Sequence, residues 1–244
     1  MRIAMIVVAA GQGARFGQSV PKAFVPLRGH TLLERSIRTL AAVPGVETIV
    51  PVVPGDAIEC FAELPLQDLG DTVASPVAGG RERQDSVANG LAALDDAPDF
   101  DLVGVHDAAR CLVSVDEVTR VVERAAETGA AILAAPVRDT IKTVDGDRIV
   151  DSPSRSGLWA AQTPQVFRSR WLRDALELGR EEGIHGTDDA QLVAHAGHSV
   201  FVVEGSERNL KLTHPGDIAV AEAWLDEEEA EGTRAGGATA EAAR

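Results

Sequence analysis

The sequence predicts an α/β fold: an open, mostly parallel central sheet with helices on both faces. Three observations predict it. Over most of the chain, short apolar runs alternate with segments whose apolar residues recur at helical spacing, the rhythm of strand–helix–strand units. The first run, Ile3 to Ala10, is apolar throughout and ends in a glycine-rich loop, as expected of a parallel strand buried on both faces. The chain has 244 residues, 45% hydrophobic and 25% charged, which is ordinary globular usage and enough for one sizeable core.

After that first strand, Thr31 to Ala42 carries Leu32, Leu33, Ile37 and Leu40 at helical spacing, with Thr31 as N-cap. Thr48 to Val53 reads as a second strand closed by Pro54-Gly55, and Arg83 to Leu94 as a helix through Val87, Leu91 and Leu94. Asp101 to Val105 is a third strand running into His106-Asp107-Ala108-Ala109-Arg110. Val115 to Ala126 is a helix and Ala130 to Ala135 a short buried strand. The rhythm breaks between Val137 and Gly157, where Thr140 to Val144 and Arg148 to Val150 flank Asp145-Gly146-Asp147, a hairpin signal. That stretch has too little apolar content to bury itself and is expected to pack on another subunit, the alternative being a solvated flap. Arg168 to Arg180 and Thr187 to His195 are helical, Ser199 to Val203 is a strand, and Pro215 to Leu225 is the last helix. A single domain over 1–225 is therefore expected, followed by an acidic, disordered tail over 226–244 with six acidic and two basic residues.

A net charge of −15 repels polyanions, so nucleic acid is not an expected partner. No apolar run approaches the roughly 18–20 residues of a membrane span. The first run is too short and wrongly flanked for a signal peptide, and a cytoplasmic protein away from membranes is expected. Cys60 and Cys111 form no CxxC and no zinc spacing. The chain has no tyrosine, which removes any Tyr-based acid or nucleophile. Its lysines are only Lys22, Lys142 and Lys211, against twenty arginines.

Ligands of open parallel sheets bind beyond the carboxyl ends of the strands, which directs attention to the loops there. Ala9-Ala10-Gly11-Gln12-Gly13-Ala14-Arg15-Phe16-Gly17 offers backbone N–H groups and a cation to a phosphate. It is neither a Walker A loop nor a clean GxGxxG. Pro21-Lys22-Ala23 adds a second cation close by, and two cations on one polyphosphate suit nucleotidyl transfer, where stabilisation of spreading negative charge dominates. Gly79-Gly80-Arg81-Glu82-Arg83-Gln84-Asp85-Ser86 reads equally as an anion- or base-binding corner at a helix start or as a capped helix alone. Asp107, at a strand end, sits where Mg²⁺ would want a carboxylate beside substrate phosphates. Arg138-Asp139-Thr140, Arg155, Gln162-Thr163-Pro164-Gln165, Thr187-Asp188 and Asn209-Leu210-Lys211 complete the polar candidates. With no catalytic base nearby, they suit a phosphate-holding pocket.

The ordered set AAGQGARFG, PKAF, GGRERQDSV, HDAAR, APVRDTIK, GLWAAQTPQVF, TDDA and NLKLT, spread between about Ile3 and Leu225, resembles the 2-C-methyl-D-erythritol 4-phosphate cytidylyltransferases. The resemblance implies a Rossmann-like nucleotidyltransferase fold with a β-hairpin dimerisation arm at about 138–157, bordering the partner subunit's active site in a homodimer. It implies transfer of CMP from CTP to 2-C-methyl-D-erythritol 4-phosphate in non-mevalonate isoprenoid biosynthesis, with Mg²⁺ required. Arg15 and Lys22 would stabilise the pentacoordinate α-phosphate, and Ala10, Gly11, Gly13 and Ala14 would line the triphosphate. Gly80 and Ser86 would contact the cytosine or ribose, and Asp107 would face metal and substrate. Arg110, Thr140, Arg155, Thr163, Thr187 and Lys211 would hold the methylerythritol phosphate, with Arg155 and Lys211 positioning its phosphate. Cys111 and Arg81 depart from the pattern of many relatives without removing an implied ligand.

Three other readings use the same residues. A cytidylyltransferase for ribitol 5-phosphate or another polyol phosphate would share the nucleotide half and differ in the pocket. An NAD(P)-binding oxidoreductase would use the glycine loop but lacks a tyrosine and an acidic residue ending the second strand. A nucleotide-dependent regulatory protein with no turnover would not need Arg15, Lys22, Asp107 and Lys211 together.

Overall fold

The computed structural model describes residues 1–11, 21–95 and 99–242, with side chains described as far as 230. The apolar run of the N-terminus becomes β1 (Ile3–Val8), whose first five residues are buried. A helix α1 (Leu32–Ala41) follows, and Thr31 caps it by accepting the Glu34 N–H at 3.0 Å. β2 (Val46–Val53) and a short β3 (Val77–Ala78) lead to α2 (Arg83–Ala92) and β4 (Leu102–Asp107). α3 (Val115–Thr128) opens on a capping box in which Ser114 and Glu117 satisfy each other's backbone N–H groups. It ends at Gly129 in the left-handed region, φ 91°, the usual glycine stop.

β5 (Ala130–Pro136) then gives way to a hairpin of β6 (Thr143–Asp145) and β7 (Arg148–Asp151), turned at Gly146. The hairpin forms its own two-stranded sheet, with every residue of both strands exposed, Val144 and Ile149 among them. β8 (Trp159–Arg168), α4 (Ser169–Glu182), α5 (Asp189–His195), β9 (Phe201–Glu204) and α6 (Pro215–Ala242) complete the chain. Among the described residues the main sheet has the order β9-β5-β8-β4-β1-β2-β3, with β8 alone antiparallel to its neighbours. No helix among these residues is long and apolar enough to cross a membrane.

Side chains alternate across β1 and thereby build two cores. Ile3, Met5 and Val7 join Leu33, Ile37, Val118 and Val122 on one face. Ala4 and Ile6 join Val87, Leu91, Phe167 and Leu172 on the other. That two-period split is why the strand reads as continuously apolar.

Two expectations need correction. The sequence reading assigned no strand to Trp159–Arg168, yet this is the antiparallel strand between β4 and β5. Its register against β5 shifts between Ala161 and Gln165, so Gln162-Thr163-Pro164 bulges, and that polar, proline-bearing stretch hides the strand's alternation. The last helix, expected to stop at Leu225 before a disordered tail, runs on to Ala242. Glu and Ala, which dominate 226–231, are strong helix formers, and Arg28 and Arg208 pair with Asp226, Glu227 and Glu228 on its docked half.

Candidate active site

A cavity of about 460 Å³ opens at the carboxyl ends of β1 and β4, where an open parallel sheet leaves backbone and side chains free to converge. Its floor is Val8 to Gly11 from β1 and Asp107 to Ala109 from β4; one wall is the corner before α2. Gly79 and Gly80 let that corner close. A Cβ on Gly79 would fall 2.2 Å from the Ala10 Cβ, and one on Gly80 would fall 2.1 Å from the Asp85 Cβ. The turn is held by the Gly80 N–H donating to Ser86 Oγ at 3.1 Å, and by the Asp85 carboxylate accepting the Glu82 N–H at 3.1 Å.

Lys22 enters from a single 3₁₀ turn, Lys22–Phe24, set by Pro21 and anchored by the buried Ala23 and Phe24. Lys211 enters from the segment after β9, and its Nζ donates to Asp107 Oδ2 at 2.6 Å. The other Asp107 oxygen accepts from Arg83 Nε at 3.2 Å, and Arg83 Nη1 reaches Asp189 Oδ2 at 2.8 Å. Asp189 is 1% exposed, so a carboxylate–guanidinium–carboxylate–ammonium chain runs from the core to the cavity. Burial pushes the Asp107 carboxyl up, but Arg83 and Lys211 outweigh it and hold the group well below the usual carboxylate range. Burial dominates at Asp189, whose carboxyl is raised despite Arg83. Asp107 therefore presents a permanent negative charge to the cavity at neutral pH.

Beneath this floor, Thr163 Oγ1 accepts the Asp107 N–H at 3.0 Å and shares a hydrogen bond with His106 Nδ1 at 3.0 Å. Burial pushes His106 down to about 4, so its imidazole is neutral there. Cys111 is likewise no nucleophile, because burial pushes its thiol up to about 12.

The cavity thus brings together Ala10, Gly11, Lys22, Gly80, Ser86, Asp107 and Lys211 of the sequence candidates, and Arg81 with them. Gly13, Ala14 and Arg15 lie outside the described residues. Arg110 and Thr163 act from below: Arg110 Nη1 and Nη2 donate to the Asn209 and Ala161 carbonyls at 2.8 and 3.1 Å. Thr140 and Arg155 are exposed on the hairpin arm, with the Arg155 guanidinium hydrogen-bonded to the Arg138 carbonyl, and neither lines this chain's cavity. Thr187 is exposed too, bonded to the Gln191 side chain. Sequence reasoning gave no role to Arg83, Asp189 or Asn209; Arg83 and Asp189 sit inside motifs singled out for other members, and their pairing across 106 positions has no local signature.

The arrangement can hold a polyanion between two ammonium groups and a glycine-lined wall. Comparison with known proteins agrees. The family model for 2-C-methyl-D-erythritol 4-phosphate cytidylyltransferase matches residues 3–227. A relative of that name from Geotalea uraniireducens is 41% identical over 226 residues, covering 92% of this chain and 97% of its own length. The crystal structure of the enzyme of that name from Thermus thermophilus superimposes with a TM-score of 0.76 at 35% identity, covering 92% of this chain and 98% of that one. The 4-diphosphocytidyl-2C-methyl-D-erythritol synthase from Anaerococcus prevotii does so with 0.81 at 28% identity, covering 92% and 96%. A match of this extent, over a cavity built from the residues that carry the motifs, means that the chain belongs to the 2-C-methyl-D-erythritol 4-phosphate cytidylyltransferase family.

Proposed function

We propose that the chain transfers CMP from CTP to 2-C-methyl-D-erythritol 4-phosphate, releasing pyrophosphate, in isoprenoid precursor biosynthesis. The observation that carries the reading is the pair Lys22 and Lys211 flanking one cavity with Asp107 between glycine-rich turns. In the reaction a phosphate oxygen of the methylerythritol substrate attacks the α-phosphorus of CTP in line. A new P–O–P bridge forms as the bond to the β-phosphate breaks and pyrophosphate leaves with its electron pair. The attacking oxygen is already ionised, so no protein base is needed, and rate comes from orientation and charge neutralisation.

Lys22, with Arg15, is assigned to the charge developing on the α-phosphate. Ala10, Gly11, Gly13 and Ala14 are assigned to the triphosphate, and Gly80 and Ser86 to the nucleoside. Lys211 and Thr187 are assigned to the methylerythritol phosphate, with Arg110 and Thr163 supporting the floor. Asp107 also suits Mg²⁺: its oxygens have acceptor capacity beyond Arg83 and Lys211, and Mg²⁺ commonly takes one or two carboxylates plus substrate phosphates. Bound there, the ion would neutralise phosphate charge. The same proposal takes 1–225 as the catalytic domain and the cytoplasm as its setting.

Homodimerisation through the 138–157 arm belongs to the proposal as well. It is supported by the exposed Val144, Ile149 and Val150 on a hairpin outside the main sheet, and by Thr140 and Arg155 standing away from their own cavity. The double variant Val144→Glu/Ile149→Glu is expected to sediment as a monomer and to lose most of its turnover, because Thr140 and Arg155 no longer reach a partner's site. A variant that stays dimeric, or a monomer with full turnover, removes the arm from the mechanism.

The test of the activity is pyrophosphate release from CTP and Mg²⁺ with methylerythritol 4-phosphate and ribitol 5-phosphate offered separately. Release with the first alone is expected. Release with ribitol phosphate alone would overturn the substrate and keep the nucleotide chemistry.

A further inference from the structure

Asn209 is fully buried, two residues before Lys211, and no chemistry assigned so far uses it. Its Nδ2 donates to the Thr163 carbonyl at 2.9 Å and to Gln162 Oε1 at 3.3 Å. The first of these partners can only accept, so the orientation of the amide is fixed by the network. The Asn209 backbone carbonyl accepts from Arg110 Nη1 at 2.8 Å. Gln162, the second partner, donates through Nε2 to the Ser206 carbonyl at 2.9 Å, and the Leu212 N–H donates to the Ala109 carbonyl at 2.9 Å. The segment from Ser206 to Leu212 is therefore sewn both to the β8 bulge and to the loop that follows β4.

Thr163 connects the two halves of the site. Its hydroxyl holds the backbone N–H of Asp107, while its carbonyl is held by Asn209. A lysine ammonium sits on a flexible four-carbon stem, so its aim depends on where its backbone is anchored. Here that backbone is fixed relative to Asp107 through Thr163 on the Asn209 side and through the Leu212–Ala109 bond on the other. The side chain of Lys211 is 42% exposed and gets little help from packing.

We infer that Asn209 is a positioning residue for the transfer reaction: its amide, clamped to the β8 bulge, sets the place of Lys211 opposite Asp107 and so the seat of the acceptor phosphate. The inference rests on the reading of Lys211 as a ligand of that phosphate. It goes beyond that reading in naming what holds the lysine, and in predicting that the nucleotide half of the site is insensitive to the clamp.

Four proteins test it: wild type, Asn209→Ala, Lys211→Ala and the double variant, each with kcat, KM for both substrates, and CTP affinity by calorimetry without the acceptor. Asn209→Ala is expected to lower kcat/KM for methylerythritol 4-phosphate about 10- to 100-fold, the scale of a small misplacement of a binding group, with CTP affinity changed less than about twofold. In the Lys211→Ala background the same change is expected to cost less than about twofold more, because a residue acting through Lys211 has nothing left to aim. Losses that multiply in the double variant, or CTP affinity that falls in step, would make Asn209 a general structural residue and overturn the inference. Lys211→Ala with near-normal activity would instead remove the reading of Lys211 itself, an outcome visible in that single variant alone. Should Asn209→Ala lack a cooperative melt, Gln162→Ala, which cuts the tether at Ser206, replaces it in the cycle. It is expected to show the same non-additivity with a smaller loss, about 3- to 10-fold, and multiplying losses there would overturn the inference equally.

Discussion

Replacing Lys22 by alanine is expected to lower turnover about a hundredfold or more, the scale seen when one electrostatic stabiliser of a developing charge is lost. The 3₁₀ turn that carries Lys22 keeps its anchors in the variant, because Ala23 and Phe24 remain buried and Pro21 still sets the entry. Melting temperature should therefore stay close to that of the wild type while kcat collapses. CTP affinity should fall less than kcat, since an interaction realised mainly in the transition state lowers turnover more than ground-state binding. Lys22→Arg is not expected to restore full rate: the guanidinium is a planar fork where the site holds a compact point charge. The check is single-turnover kinetics beside a thermal melt. A folded Lys22→Ala enzyme turning over at near-normal rate would exclude Lys22 from the chemistry.

The sequence made this residue legible because its signals are local. A lone proline–lysine pair after a glycine-rich loop stands out in a chain that otherwise uses arginine, and Asp107 stands out as a carboxylate closing an apolar strand. The βα rhythm was equally readable, since Ile3–Val8 and Leu102–Asp107 are buried on both faces and leave no polar alternation to interpret. What could not be read was set by long-range pairing. Trp159–Arg168 is a strand because β4 and β5 flank it, while its own residues, interrupted by Gln162-Thr163-Pro164-Gln165, obey no strand period. The polarity of that stretch marks it as a candidate for the site, and in space it is the buried network beneath it. The reach of the last helix past Leu225 is hidden for the opposite reason: an acidic composition masks the high helix propensity of glutamate and alanine.

Arg83 is the clearest case of a residue whose pairing is invisible in sequence and central in space, and its removal should produce the largest stability change. Arg83→Met leaves Asp189 buried with its only charge partner among the described contacts gone, and leaves Asp107 with Lys211 in contact and the Arg110 charge nearby. Removing one partner of a buried ion pair typically costs about 3–5 kcal/mol, because the remaining charge keeps its desolvation penalty. Urea unfolding at pH 7.5 should show a deficit on that scale. The sign of its pH dependence follows from Asp189. Burial already raises this carboxyl with Arg83 present, and without Arg83 it rises further, so the folded variant binds a proton more readily than its unfolded chain. Lowering the pH from 7.5 to 5 then relieves the penalty, and the gap to the wild type should narrow. Asp107 works in the other direction: its lowered carboxyl contributes stability that is complete above the unfolded value of about 3.9 and fades only as pH falls below it. Between pH 5 and 7.5 that contribution is constant in the wild type, while in the variant Asp107 has lost Arg83, the largest cause of its lowering, so the narrowing reports on both carboxylates that Arg83 held. A deficit below about 1 kcal/mol, or one that widens on acidification, would mean that the Asp107–Arg83–Asp189 chain does not hold the floor of the site together.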